Sequence, residues 1–345
     1  MKKILVMGTG GYYQNKKKSV DGNIIAYVDN FKEGEFEGKP IIKPEDIKNI
    51  EYDCIYVMSV QFCLLVRQLL DIGVDYKKII IGANLKPYNN IEKGFIDENR
   101  RMMITPNQEI CYATETEQII VRSYDELVNV KEIFGDRSYN FYVDSDCVVM
   151  DIGANIGGAS VWFSHMSNVK KIYAYEPFHE TCDVLQKNIE LNEQAQRKVS
   201  LYPVGLGEEA KESRISYNSN MSCGVSVLED VNQKAFDMYE QWGLIDKKQT
   251  KSDTINIIDI AKEFRRIKLL NPSEKLVVKM DCEGSEYKLF DRLQEEDLLG
   301  EISVLMMEWH YNGSGYFESL LEENGFSYFS FNKSDFLGTI YAIKK

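Results

Sequence analysis

The stretch Val148-Val149-Met150-Asp151-Ile152-Gly153-Ala154-Asn155-Ile156-Gly157-Gly158 is an apolar run that ends in an acid and opens into a glycine-rich loop. A helical pattern follows. Nineteen residues after Gly157 a second strand-like run, Ile172-Tyr173-Ala174-Tyr175, ends in Glu176-Pro177. Strand, glycine turn, helix, strand and terminal acid make up a nucleoside-binding half of a doubly wound sheet. Glycines let the backbone approach a ligand with no Cβ in the way. An acid at Glu176 meets the two hydroxyls of a ribose through charge-assisted hydrogen bonds worth roughly 1.5–3 kcal/mol each.

The loop also decides between cofactors. A dinucleotide needs a G-x-G-x-x-G cradle for its pyrophosphate. Here the order is Asp151-x-Gly153-x-Asn155-x-Gly157. A carboxylate at the strand end repels a pyrophosphate and suits a cationic amine, such as the amino-acid end of S-adenosylmethionine, so that cofactor is expected in place of NAD. A glycine at a strand-to-helix turn is common in any parallel sheet. The acid at the right distance is what raises the pattern above that background.

The chain has 345 residues, enough for two domains, with 44% apolar and 28% charged residues. Its net charge is −13 and its isoelectric point about 4.9. A nucleic-acid partner calls for a basic stripe, and the longest basic run is Lys16-Lys17-Lys18, which reads as a solvated loop. The seven cysteines (54, 63, 111, 147, 182, 223, 282) contain no C-x-x-C pair and read as buried free thiols of a reducing compartment. Ile4–Met7 is too short for a signal h-region, and no apolar segment reaches membrane-spanning length. A cytoplasmic protein with no membrane span and no nucleic-acid partner is expected.

The alternation of strands and helices gives an α/β fold in two parts. Residues 1–85 read as a small Rossmann-like N-terminal domain, with strands at Lys3–Met7, Ile24–Val28, Cys54–Met58 and Lys78–Ile81 and a helix at Phe62–Leu70. Gly8-Thr9-Gly10-Gly11 and Asp29-Asn30 repeat the glycine-loop and acid theme, but Tyr13 replaces the third glycine. This part is expected to serve docking or homo-oligomer formation more than ligand binding. Residues 86–144 read as a linker or lid. Within them Asn89-Asn90 marks a loop, and Ser123-Tyr124-Asp125-Glu126 has capping-box spacing at the start of a helix.

Residues 145–345 form the second domain. Its helices are expected near 158–167, 178–192, 256–264, 285–293 and 315–324. Its strands are expected near 147–151, 171–175, 199–204, 275–280 and 302–308, and Phe326–Phe331 with Gly338–Ile343 closes the sheet as an antiparallel hairpin.

Two more strand ends carry chemistry. Lys279-Met280-Asp281-Cys282-Glu283-Gly284-Ser285-Glu286 places Asp281 and Glu283 at the carboxyl edge of the sheet, where open α/β folds gather ligands. Val304–Met307 delivers Glu308, Trp309 and His310 to the same edge. Of the three histidines, His165 reads as surface or core, His179 as a border of the cofactor, and His310 as the base that removes a hydroxyl proton. Glu308 and Asp281 complete the catalytic set. Asp281, Glu283, Glu308 and His310 also admit Mg²⁺ or Mn²⁺. A pocket wall around the sulfonium is the preferred reading, and no metal is expected.

These segments together resemble the FkbM-type methyltransferases, which have a Rossmann-like (class I) methyltransferase sheet. The matching runs are Asp151–Gly157, Tyr175-Glu176-Pro177, Asn188–Asn192, Val204-Gly205-Leu206-Gly207, Lys279–Glu286 and Met307-Glu308-Trp309-His310, in the family's order. The resemblance implies O-methylation of sugars or natural products. It implies that Asp151, Gly153, Asn155 and Gly157 line the methionine end of S-adenosylmethionine and that Glu176 holds the ribose. Pro177, Phe178, Gly205, Leu206, Asp281 and Glu283 are the further expected cofactor contacts. Residues 1–85 resemble the N-terminal domain of sugar-modifying enzymes. The expected partner is a small-molecule or glycan substrate. A cofactor-binding protein without turnover is the first rival reading. A nucleotide-sugar oxidoreductase or epimerase is the second, since Tyr12/Lys16 and Tyr13/Lys17 have Tyr-x-x-x-Lys spacing, although in the wrong place.

Overall fold

The computed structural model describes residues 1–82, 101–218 and 250–345, with 225, 226, 233, 236, 237, 240 and 241 between them. Asn89-Asn90 and Cys223 lie outside the described residues. The chain divides into two compact units, Met1–Val128 and Asn129–Lys345.

In the first unit, β1 (Lys3–Met7), α1 (Gly11–Lys16), β2 (Asn23–Val28), β3 (Glu35–Phe36), β4 (Lys39–Ile42), β5 (Cys54–Val57), α2 (Phe62–Asp71) and β6 (Ile79–Ile81) follow in chain order. The sheet order is β3-β4-β2-β1-β5-β6, parallel except for the short β3. Ile4, Leu5, Val6 and Val57 are completely buried, as strands covered on both faces must be. The Tyr13 and Tyr27 hydroxyls lie 2.7 Å apart inside this unit, and both donate to Glu37. Tyr13, which takes the place of the third glycine, is therefore core. An antiparallel meander of β7 (Arg101–Ile104), β8 (Ile110–Ala113) and β9 (Gln118–Ile120) is a feature the sequence reading did not contain. The Ser123 hydroxyl accepts the Glu126 N–H at 3.1 Å, capping α3 (Tyr124–Lys131) as its spacing predicts.

The second unit begins its sheet with β10 (Cys147–Ile152), then α4 (Gly158–Ser164), β11 (Val169–Tyr175), α5 (His179–Leu191), α6 (Glu193–Lys198) and β12 (Val199–Tyr202). After an excursion through β13 (Gly205–Gly207), β14 (Lys211–Tyr217) and β15 (Lys251–Asp259) come α7 (Ile260–Leu270), β16 (Lys275–Met280), α8 (Glu286–Glu295), β17 (Val304–His310) and α9 (Gly315–Glu323). The hairpin β18 (Phe326–Ser334) and β19 (Leu337–Lys344) ends the chain. The order is β12-β11-β10-β16-β17-β19-β18, with β19 antiparallel to both its neighbours. Strand order reverses between β10 and β16, the switch point where ligands lodge in doubly wound sheets.

Val148, Met150 and Ile152 of β10, with Leu276, Val278 and Met280 of β16 and Leu305, Met307 and Trp309 of β17, pack on Ile260, Phe264, Leu289 and Phe290. Because strand side chains alternate, the residues between them face the other way. β13, β15 and β14 form a separate three-stranded sheet. It explains why the expected helix at 256–264 starts late: residues up to Asp259 belong to β15, and the Asp259 carboxylate caps α7 by accepting the Ala261 N–H at 2.8 Å.

Candidate active site

Strand parity assembles the site. With Met150, Met280 and Trp309 committed to the core, Asp151, Lys279, Glu308 and His310 all emerge on the opposite face, and Asp281 follows at the end of β16. Asp151 pairs in register with Lys279 across β10 and β16. The Asp151 carboxylate is completely buried. One oxygen accepts from the Ser160 hydroxyl at 2.6 Å and the other lies 3.3 Å from Lys279 Nζ. Lys279 also donates to the Gly153 carbonyl at 2.6 Å. Burial works against the lysine charge, but Asp151 and Asp281 outweigh it and hold its pKa above the usual value. The Asp151 carboxylate is thus fully buried between Ser160 and Lys279, and its Oδ1 has no hydrogen-bond partner among the described residues.

The loop itself is tightly determined. Gly153, Asn155 and Gly157 all have positive φ, at 73°, 49° and 86°. A Cβ on Gly153 would stand 1.8 Å from the Asp281 carbonyl oxygen, which no side chain survives. Gly157 packs against Leu185, where a Cβ would lie 3.0 Å from Cγ. Glu176, 5% exposed at the end of β11, accepts the Asn155 N–H at 2.9 Å and the Phe178 N–H at 3.1 Å. The ribose-type acid and the glycine loop are thus hydrogen-bonded to each other. Gly205 lies against Pro177, with space for a Cβ 3.5 Å from the proline ring. Two expected contacts turn inward: Leu206 joins the core beside Phe264, and Phe178 packs with Tyr217, Ile215 and Ile255.

His310 is buried, and both its ring nitrogens face acids. Nδ1 is 3.1 Å from Glu286 Oε1, while Nε2 is 3.4 Å from Glu283 Oε2 and 4.0 Å from Asp281 Oδ1. Burial alone would lower its pKa, but Glu283, Glu286 and Asp281 prevail and raise it to about 10. Burial raises the Glu283 carboxyl, opposed by His310 and reinforced by Asp281. Burial and Asp281 likewise raise Glu308, against the pull of Lys333 Nζ at 3.1 Å. Glu286, completely buried, accepts the Cys282 and Gly284 N–H groups, both at 2.8 Å. Sequence reading passed over Lys279 and Glu286, although both stand in the quoted run. Their signal is strand parity for the first and a helix-start acid for the second. His165 is exposed, and His179 pairs with Asp253 at 2.8 Å.

The methyltransferase FkbM domain family matches residues 151–328. The C2185-like N-terminal family matches residues 1–80. Methyltransferase sdnD of Sordaria araneosa is 25% identical over 240 residues, which cover 65% of this chain and 91% of that protein. Methyltransferase 1 of Beauveria bassiana (strain ARSEF 2860) is 25% identical over 208 residues, covering 57% and 79%. The crystal structure of methyltransferase FkbM from Methylobacillus flagellatus KT aligns over 99% of this chain and 90% of its own, at 14% identity and a TM-score of 0.39. Among the described residues no helix is long and apolar enough to cross a membrane.

Proposed function

The chain belongs to the FkbM methyltransferase family, and on that premise we propose that it uses S-adenosylmethionine to methylate a hydroxyl oxygen of a sugar or glycan. The observation that carries this reading is the convergence, at the switch point of one sheet, of a glycine-containing loop of positive φ, its hydrogen-bonded acid and a cluster of carboxylates. Gly153, Asn155 and Gly157 would leave room for the methionine end of the cofactor, and Glu176, already oriented by the Asn155 and Phe178 N–H groups, would hold the ribose. When bound, S-adenosylmethionine supplies a methyl group on a sulfonium, which is its own leaving group.

The residues of the chain then have three tasks: aligning the acceptor, excluding water and receiving one proton. Asp281, Glu283 and Glu308 suit an acceptor rich in neutral hydroxyls, because carboxylates only accept hydrogen bonds. Both nitrogens of His310 already face carboxylates, so the base expected there passes to the carboxylates, and His310 becomes the group that orders them.

The test is transfer of labelled methyl from S-adenosylmethionine by the full chain to neutral glycosides and oligosaccharides, with amines and carboxylic acids alongside. The expected product is an alkali-stable methyl ether. Label appearing only on amines or as methyl esters would overturn the hydroxyl assignment.

A further inference from the structure

We propose that Asp281, Glu283 and His310 form a divalent-cation site at the acceptor side of the glycine loop. This deepens the proposed reading of that edge, and its test is independent of methyl transfer. One donor atom from each residue lies within 4.8 Å of the other two. Nε2 stands 3.4 Å from Glu283 Oε2 and 4.0 Å from Asp281 Oδ1. Donors bound at about 2.1 Å to one ion lie no more than about 4.2 Å apart, so the set needs little contraction to close on a cation.

The surroundings of the donors point the same way. Glu286 occupies the far ring nitrogen of His310 and is itself fixed by two backbone N–H groups. A carboxylate on Nδ1 keeps the proton on that nitrogen, so a cation would displace the Nε2 proton, which faces the donor set, the arrangement that orients ligating histidines. Asp281 lies 3.8 Å from Lys279 as well as 4.0 Å from His310, so the carboxylate end of the donor set is held from both sides.

Glu283 holds the left-handed conformation, φ 54°, in the turn that carries it to His310. The Asp281 and Glu283 side chains are 16% and 22% exposed, and His310 9%, so a cation enters from the carboxylate side and the imidazole closes the floor. One nitrogen with two carboxylate donors suits Mn²⁺ better than Ca²⁺. Since the Asp281 carbonyl sits under Gly153, an ion here stands next to the loop, where it would hold an acceptor oxygen.

Titration of the full chain with Mn²⁺, read by loss of the free-ion paramagnetic resonance signal, needs neither cofactor nor acceptor. One ion per chain is expected. Affinity should fall at least about tenfold in Glu283→Gln, Asp281→Asn and His310→Ala, and by about 10–100-fold in Glu286→Gln. The near-isosteric Asp281→Asn keeps the set decisive if His310→Ala unfolds. Wild-type protein that binds no Mn²⁺, or binding unchanged in Asp281→Asn and Glu283→Gln, overturns the proposal. S-adenosylmethionine binding measured on the same wild-type sample separates that failure from failure of the methyltransferase reading.

Discussion

Asp151 and Lys279 are both removed from water, and their charges face each other at 3.3 Å. Breaking a buried pair from one side typically costs about 3–5 kcal/mol, because the remaining charge is stranded. Asp151→Ala should therefore lose that much in urea unfolding, and Asp151→Leu with Lys279→Met together should lose far less than the sum of the single changes. Additive losses would show that the two side chains do not act as a pair. At Gly153 the constraint is steric: Gly153→Ala should abolish cofactor binding, since its Cβ would collide with the Asp281 carbonyl. Retained binding there would contradict the loop geometry. At this scale the glycines and terminal acids were legible because their spacing is local. The Lys279 partnership was not, because it depends on the β10–β16 register, which joins residues more than a hundred positions apart.

α7 shows how elements are misread at a junction. Ile257, Ile258, Ile260 and Phe264 mimic a helical stripe, yet Ile255, Ile257 and Asp259 are the inward residues of a strand and Asp259 is the helix cap. Asp259→Ala should cost about 1–2 kcal/mol through the cap, and it also leaves Arg292 without its 3.0 Å partner. β14 escaped notice because only Ile215 and Tyr217 of its seven residues are buried. Glu263 on α7 offers a test by pH. Burial opposes its charge, but Arg266 and the Tyr175 hydroxyl hold its pKa below the usual glutamate value. A carboxyl lowered in the folded state stabilises above its unfolded pKa, and the contribution fades as pH falls through the folded one. The stability gap between wild type and Glu263→Gln should thus be widest near neutrality and close on acidification. A gap constant with pH would contradict the assignment.

For the whole molecule, the α/β class and the antiparallel closing hairpin were legible because each rests on patterns a few residues long. The order β12-β11-β10-β16-β17-β19-β18 then dictates that the loop of Gly153, the acid of Glu176 and the cluster around His310 share the carboxyl edge of the second unit. The acceptor is less legible, since carboxylates at that edge accept hydrogen bonds from many kinds of donor and single out no one molecule. The central claim is that this edge binds S-adenosylmethionine through Glu176. Calorimetric titration of the cofactor into the full chain and into Glu176→Ala tests it most directly. Binding in the micromolar range, weakened about tenfold or more in the variant as expected for one lost charge-assisted bond, is the predicted result. No binding to folded wild-type protein, or equal binding to both, would contradict it.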